Sequence, residues 1–338
     1  MYDIAILNEN DRRILFRNTA QKIGLNETIV EKDFWVCVTL DYLFHHCKWK
    51  NAFTFKGGTS LSKCYNLIKR FSEDIDLILD WRVLGFGADE PWIKRSNTKQ
   101  DAFNKEANKR AEEFLANELL PEIKRDFSSI LGFDAELYID ENDKQTICFS
   151  YPNMFSSASI LQIIRLEIGA LAAWTPANKK TISPYAAQCY PKAFKKADTC
   201  ILTAAAERTF WEKVTILHHE ANRPENLNMP QRYSRHYYDL YCIAHSENKQ
   251  NAFDNTQLLK KVVEFKMKFY PRKWAKYEEA VPGTIRLVPP EYRFAAIRDD
   301  YESMSDMMFG EYPSFNVLMD YIKELEAEIN NLDSVKLK

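Results

Sequence analysis

The stretch FTFKGGTSLSKCYNLIKRFSEDIDLIL, residues 53–79, decides how the rest of this chain is read. Ala52 to Phe55 alternates like a short strand and stops at Gly57-Gly58. Thr59 or Ser60 then caps a predicted helix whose apolar stripe is Leu61, Cys64, Tyr65 and Ile68. Phe71 to Leu79 alternates with period two and predicts a second strand. Paired glycines between a strand and a helix let the backbone approach an anion, with the first helical N–H groups facing it. The ammonium of Lys56 and the hydroxyls of Thr59 and Ser60 add donors at the same place.

Asp74 and Asp76 stand two apart in the predicted strand, so they share a face while Ile75, Leu77 and Leu79 turn to the core. Two adjacent carboxylates repel unless a cation lies between them. Oxygen donors so arranged suit Mg²⁺ bridging to phosphates. An isolated Asp-x-Asp also describes an edge strand with solvated acids, but the glycine turn and helix immediately before it favour the metal reading. A third carboxylate on a neighbouring strand would complete a two-metal site and help deprotonate an attacking hydroxyl. Glu167, within the apolar run Ile163 to Ile168, supplies one. The plainer account of Glu167 is an ion pair with Arg165, two residues away on the same face.

Outward from this core, residues 26–44 and 101–126 have helical spacing, and strands are predicted near 134–139, 146–151 and 160–168. A Pro- and Lys-containing connection covers about 175–199. Helices follow over 206–221, 233–245, 256–269 and 315–332. The fold class is α+β: a mixed β-sheet flanked by helices over residues 1–195, then a mainly helical domain over 196–338. Lys213 lies beside the buried stripe of helix 206–221, and Arg235 and Asp239 stand one turn apart on the next helix. Spacing alone makes these ordinary amphipathic helices. Tyr237, Tyr238 and Tyr241 read as packing residues, and the adjacent pairs His45-His46 and His218-His219 diverge too far on a helix to share a metal.

The string KGGTSLSKCYNLIKRFSEDIDL resembles the signature of the AbiEii/AbiGii-type toxin nucleotidyltransferases, toxin halves of abortive-infection toxin–antitoxin pairs with a polymerase-β-like nucleotidyltransferase fold. ERTFWEKVTILHHEANR and RYSRHYYDLYCI resemble that family's lysine and aspartate motifs, and IVEKDFW and DDYESMSDMMFGEYPSF are also similar to members. The resemblance implies that Lys56, Gly57, Gly58, Thr59, Ser60 and Ser72 hold a nucleoside triphosphate. Asp74 and Asp76, joined by Glu167 on the strand argument, would bind Mg²⁺. Lys213 would contact triphosphate, and Asp239 would be a second-domain acid needed for activity. The implied reaction is NMP transfer from NTP to an acceptor, foremost the tRNA 3′ end, in a toxin controlled by a cognate antitoxin.

The remaining composition is permissive. Net charge is −2, so whole-chain charge makes no case for nucleic acid. Residues 260–276 are locally basic (Lys260, Lys261, Lys266, Lys268, Arg272, Lys273 and Lys276 against Glu264), a solvated face or an RNA contact. The seven cysteines lack zinc-finger spacing, which predicts free thiols in a reducing compartment. No signal peptide or membrane span is read, which predicts a cytoplasmic protein. A protein or small-molecule hydroxyl as acceptor, and a non-catalytic partner-binding protein that keeps the fold, are the competing readings.

Overall fold

The computed structural model describes residues 1–72, 74–157, 160–171 and 176–332. The chain forms two compact units: residues 1–64, 71–172 and 177–204, and residues 65–70, 173–176 and 205–338.

The first unit holds one seven-stranded mixed sheet. Its strands are β1 (Phe53–Lys56), β2 (Ile75–Leu79), β3 (Glu136–Ile139), β4 (Thr146–Ser150), β5 (Ile164–Gly169), β6 (Ala177–Ile182) and β7 (Thr199–Ala204), in the order β3-β4-β5-β2-β1-β7-β6. β2 and β5 run parallel, as do β1 and β7, while the other neighbours are antiparallel. Helices α1 (Tyr2–Ala5), α2 (Glu9–Ile23), α3 (Glu27–Asp41), α4 (Gly57–Lys63), α5 (Asn97–Phe114), α6 (Leu120–Leu131) and α7 (Tyr185–Cys189) belong to this unit.

At its centre α3 is buried all round from Thr28 to Asp41. Val30, Phe34, Trp35, Cys37, Val38 and Leu40 are fully enclosed. Its three consecutive charges are buried as well, each with its own partner. Glu31 accepts from the N–H groups of Met154 and Phe155, and Lys32 donates to the Leu161 carbonyl. Asp33 pairs with Lys63 at 2.6 Å and accepts from the Tyr185 N–H. Lys63 ends α4, so this ion pair ties the helix after the glycines to the core.

The second unit contains α8 (Ala206–Ala221), α9 (Arg235–Ala244), α10 (Glu247–Asp254), α11 (Thr256–Phe269), α12 (Phe294–Glu302) and α13 (Phe315–Asn330). α8 packs against α9, α10 and α11, and α13 against α9.

Three sequence expectations need correction. The helix after the glycines stops at Lys63, short of Tyr65 and Ile68, and Asn66 follows with φ of 51°, a left-handed conformation that continues no helix. The strand predicted from Phe71 begins only at Ile75. The connection over 175–199 contains β6, whose sequence ANKKTI is too polar for an apolar-pattern reading because it lies at the sheet edge.

Candidate active site

Sheet register builds the first cluster. Lys56 is opposite Asp76, Asp76 opposite Glu167, and Glu167 opposite Thr146, across β1, β2, β5 and β4. Residues in register on neighbouring strands project to the same face. Three members of the row, Lys56, Asp76 and Glu167, are half-buried, and so is Asp74 just before β2.

Gly57 is required here on two grounds. Its φ is 79°, and a Cβ at that position would lie 1.8 Å from Asp76 Oδ2. The carboxylate therefore sits directly against the glycine backbone. Thr59 Oγ1 donates to the Asp74 carbonyl at 2.6 Å, and Ser60 Oγ donates to the Gly57 carbonyl at 2.9 Å. Both hydroxyls, expected from sequence as nucleotide donors, spend their hydrogens bracing the backbone around the two aspartates. Gly58 is buried within the first turn of α4, and Ser72 is half-buried two residues before Asp74.

Glu167 is the perturbed member. Partial burial first, then the charges of Asp76 and Asp74, raise its carboxyl from 4.5 to about 7. Arg165 opposes this only weakly. Its Nε lies 3.6 Å from Glu167, whereas its Nη1 is 2.5 Å from Asp140. That bond holds the Asp140 carboxyl near 2. Arg165 thus divides between Asp140 and Glu167, with the closer contact to Asp140.

Among the described residues no three His, Cys, Asp or Glu side chains close into a ready-made metal cage. Mg²⁺ seldom uses one; it binds through one or two carboxylates together with substrate phosphates. Crowded carboxylates with one member pushed toward neutrality are a donor set whose repulsion a hard cation relieves. The residues fit such an ion.

The second cluster lies wholly in the second unit. Asp239, on α9, is fully buried and both its oxygens are occupied. Arg70 Nε donates to Oδ1 at 2.7 Å and Arg70 Nη2 to Oδ2 at 2.9 Å, a bidentate fork. Lys213 Nζ, from α8, donates to Oδ2 at 2.7 Å and also contacts His236 Nδ1 at 3.0 Å. An ammonium only donates, so His236 is held as the Nε2–H tautomer. Burial, then the charges of Lys213 and Arg235, keep this histidine well below its usual range. Asp239 stays ionised because Arg70 and Lys213 outweigh the cost of its burial. Lys213 is lowered by that same burial, against the attraction of Asp239.

Arg235 stands one turn before Asp239 on α9, as predicted, and is exposed. The partner that matters is Arg70, quoted in the motif yet assigned no role from sequence. The available signal was the basic pair Lys69-Arg70 directly after Leu67-Ile68, with Arg70 four positions before Asp74.

The other flagged residues fall into place. His218 accepts from the Arg286 N–H at Nδ1, which leaves Nε2–H to donate to the Lys276 carbonyl. Tyr237 and Tyr238 are buried, and Tyr241 packs against His245 and Tyr321. α11 buries Leu258, Leu259, Val262, Val263, Phe265 and Phe269 and exposes Lys260 and Lys261. Arg272, Lys273 and Lys276 are exposed beyond it, with Tyr270 at 47%. All seven cysteines are free, and no described helix is long and apolar enough to cross a membrane.

The nucleotidyltransferase toxin MenT4 of Mycobacterium tuberculosis H37Rv is similar at 15% identity over 96% of this chain and 98% of its own, with a TM-score of 0.46. No curated protein sequence matches the chain. The family described as nucleotidyl transferase AbiEii toxin, type IV toxin–antitoxin system, matches residues 41–325. With the greater part of its length matched, and the motifs in order, the chain belongs to the AbiEii family of nucleotidyltransferase toxins.

Proposed function

We propose that this nucleotidyltransferase transfers NMP from a Mg²⁺-bound NTP to the 3′-hydroxyl of an RNA, foremost the tRNA acceptor end. The observation that carries the reading is the row Lys56–Asp76–Glu167 with Asp74 beside it and the Glu167 carboxyl raised to about 7. Bound at Asp74, Asp76 and Glu167, Mg²⁺ would supply charge neutralisation at the α-phosphate and a lowered pKa for the attacking hydroxyl.

The chain's own residues do the rest. Gly57 and Gly58 allow close approach of the triphosphate, with Lys56 and Ser72 as side-chain donors and Thr59 and Ser60 bracing the turn. The hydroxyl oxygen attacks the α-phosphorus, the α–β phosphoanhydride bond breaks, and pyrophosphate leaves. Glu167, on the strand beside Asp76, helps take up the hydroxyl proton. Lys213, held by Asp239 and His236, is the lysine the family resemblance assigns to the triphosphate.

The exposed basic residues of 260–276, interleaved with Tyr270, favour an RNA acceptor over a protein hydroxyl. Membership of a type IV toxin–antitoxin family implies a cognate antitoxin as partner. Purified protein is incubated with Mg²⁺, each α-³²P-labelled NTP and total tRNA, with Asp76→Asn as control. Label on tRNA, at least 100-fold lower in the variant, is expected. Label on protein instead would redirect the acceptor assignment, and a fully active Asp76→Asn protein would overturn the site.

A further inference from the structure

We propose that Asp140 is a positioning residue for the metal site. By holding Arg165, it keeps the guanidinium from closing on Glu167 and leaves that carboxylate to the cation. The inference rests on the proposed role of Glu167 as a metal ligand, and all three residues belong to the first unit.

Arg165 and Glu167 stand two apart on β5 and share a face, so an ion pair between them is the simple expectation. The contacts are uneven instead. Arg165 Nη1 donates to Asp140 Oδ2 at 2.5 Å, while its Nε lies 3.6 Å from Glu167 Oε1, too far for a hydrogen bond. A guanidinium is rigid and planar, so the grip on one nitrogen limits how closely the others approach Glu167.

Asp140 is itself firmly placed. Its N–H donates to the Thr146 carbonyl at 2.9 Å across the β3–β4 hairpin, and Thr146 is in register with Glu167. Its other oxygen, Oδ1, accepts from the N–H groups of Asn142 and Asp143 at 2.8 and 3.0 Å. Thr146 Oγ1 donates to Asp143 Oδ2 at 2.7 Å and ties the turn down once more. The carboxylate is thus oriented by its own turn, with Oδ2 given to Arg165.

Asp140, Arg165 and Glu167 are all half-buried, where a single ion pair is weak enough to be redistributed. Glu167 is the other acid that Arg165 already faces, so a guanidinium released by Asp140 moves toward it. A carboxylate bonded to a guanidinium offers fewer lone pairs to a hard cation, and the positive charge repels the ion.

The test uses the full chain with Asp140→Asn, Arg165→Met and the double variant Asp140→Asn/Arg165→Met. In Asp140→Asn the amide oxygen still accepts from Asn142 and Asp143, but the amide nitrogen cannot accept from Arg165. Folding is followed by circular dichroism and by melting in EDTA, and Mn²⁺ binding to the nucleotide-free protein by calorimetry. Asp140→Asn is expected to weaken Mn²⁺ binding about 5-fold, the upper end for a pair this exposed. Arg165→Met should bind Mn²⁺ as the wild type does or up to about 3-fold more tightly. The double variant should fall within about 2-fold of Arg165→Met, because no guanidinium is left to release. A merely structural role for Asp140 would carry its loss into the double variant.

A folded Asp140→Asn protein with wild-type Mn²⁺ affinity overturns the inference. So does a double variant as weak as Asp140→Asn, or an Arg165→Met protein that binds more weakly than wild type. Should Asp140→Asn not fold, Asp140→Ser, which keeps an oxygen for the turn, is measured in its place. Glu167→Gln in the same titration separates the two readings. If it binds Mn²⁺ as tightly as wild type, the ligand assignment has failed; if it weakens binding and Asp140→Asn does not, only the positioning role has.

Discussion

Glu167 shows what a single position in register can do. Its folded carboxyl lies near 7, above the unfolded value of about 4.3, so the ionised side chain opposes folding. That cost is absent below about pH 4.5, grows between there and pH 7, and is complete above. Glu167→Gln should therefore stabilise the metal-free protein at pH 8 by about 1 kcal/mol, after discounting for solvent screening of a half-exposed group, and by little at pH 5. Melting in EDTA at the two pH values measures this. Added Mg²⁺ should raise the wild-type melting temperature at pH 8 more than that of the variant, which keeps only Asp74 and Asp76. That Asp76 and Glu167 lie on strands was legible from period two, whereas Asp74 falls just before β2. The partners of Asp239 were not legible, since Arg70 lies 169 residues away and no local periodicity links them.

At the scale of elements, legibility followed amphipathicity. α8 and α11 occupy the ranges their apolar stripes predict, 206–221 and 256–269. β6 escaped because an edge strand need not be apolar, and α4 ended early because Asn66 adopts a left-handed conformation. The buried charges of α3 carry the sharpest consequence at this scale. Asp33→Ala leaves the Lys63 ammonium enclosed without its carboxylate and should destabilise the protein by about 3–5 kcal/mol in denaturant titration. Asp33→Leu/Lys63→Met, which removes both charges, should cost less than Asp33→Ala alone. A reversed order would mean that the pair contributes little to the seating of α4.

On the scale of the whole molecule, a net charge of −2 conceals a local basic face, which is why composition made no case for nucleic acid. Reversing it with Lys260→Glu/Lys261→Glu/Arg272→Glu should weaken tRNA binding and lower the slope of log affinity against log salt by about 2. NTP affinity should not change. Filter binding across a salt series checks both, and an unaltered slope would remove this face from the RNA contact.

The second unit is discontinuous in sequence, since residues 65–70 join it from within the first. During translation that short strap leaves the ribosome long before Tyr238, Asp239, Met308 and Phe309 exist to receive it. At ordinary elongation rates the interval is on the order of ten to fifty seconds. Lys69 and Arg70 therefore find their partners only once synthesis has passed Phe309, so a prematurely terminated chain holds the strap without the helices that receive it.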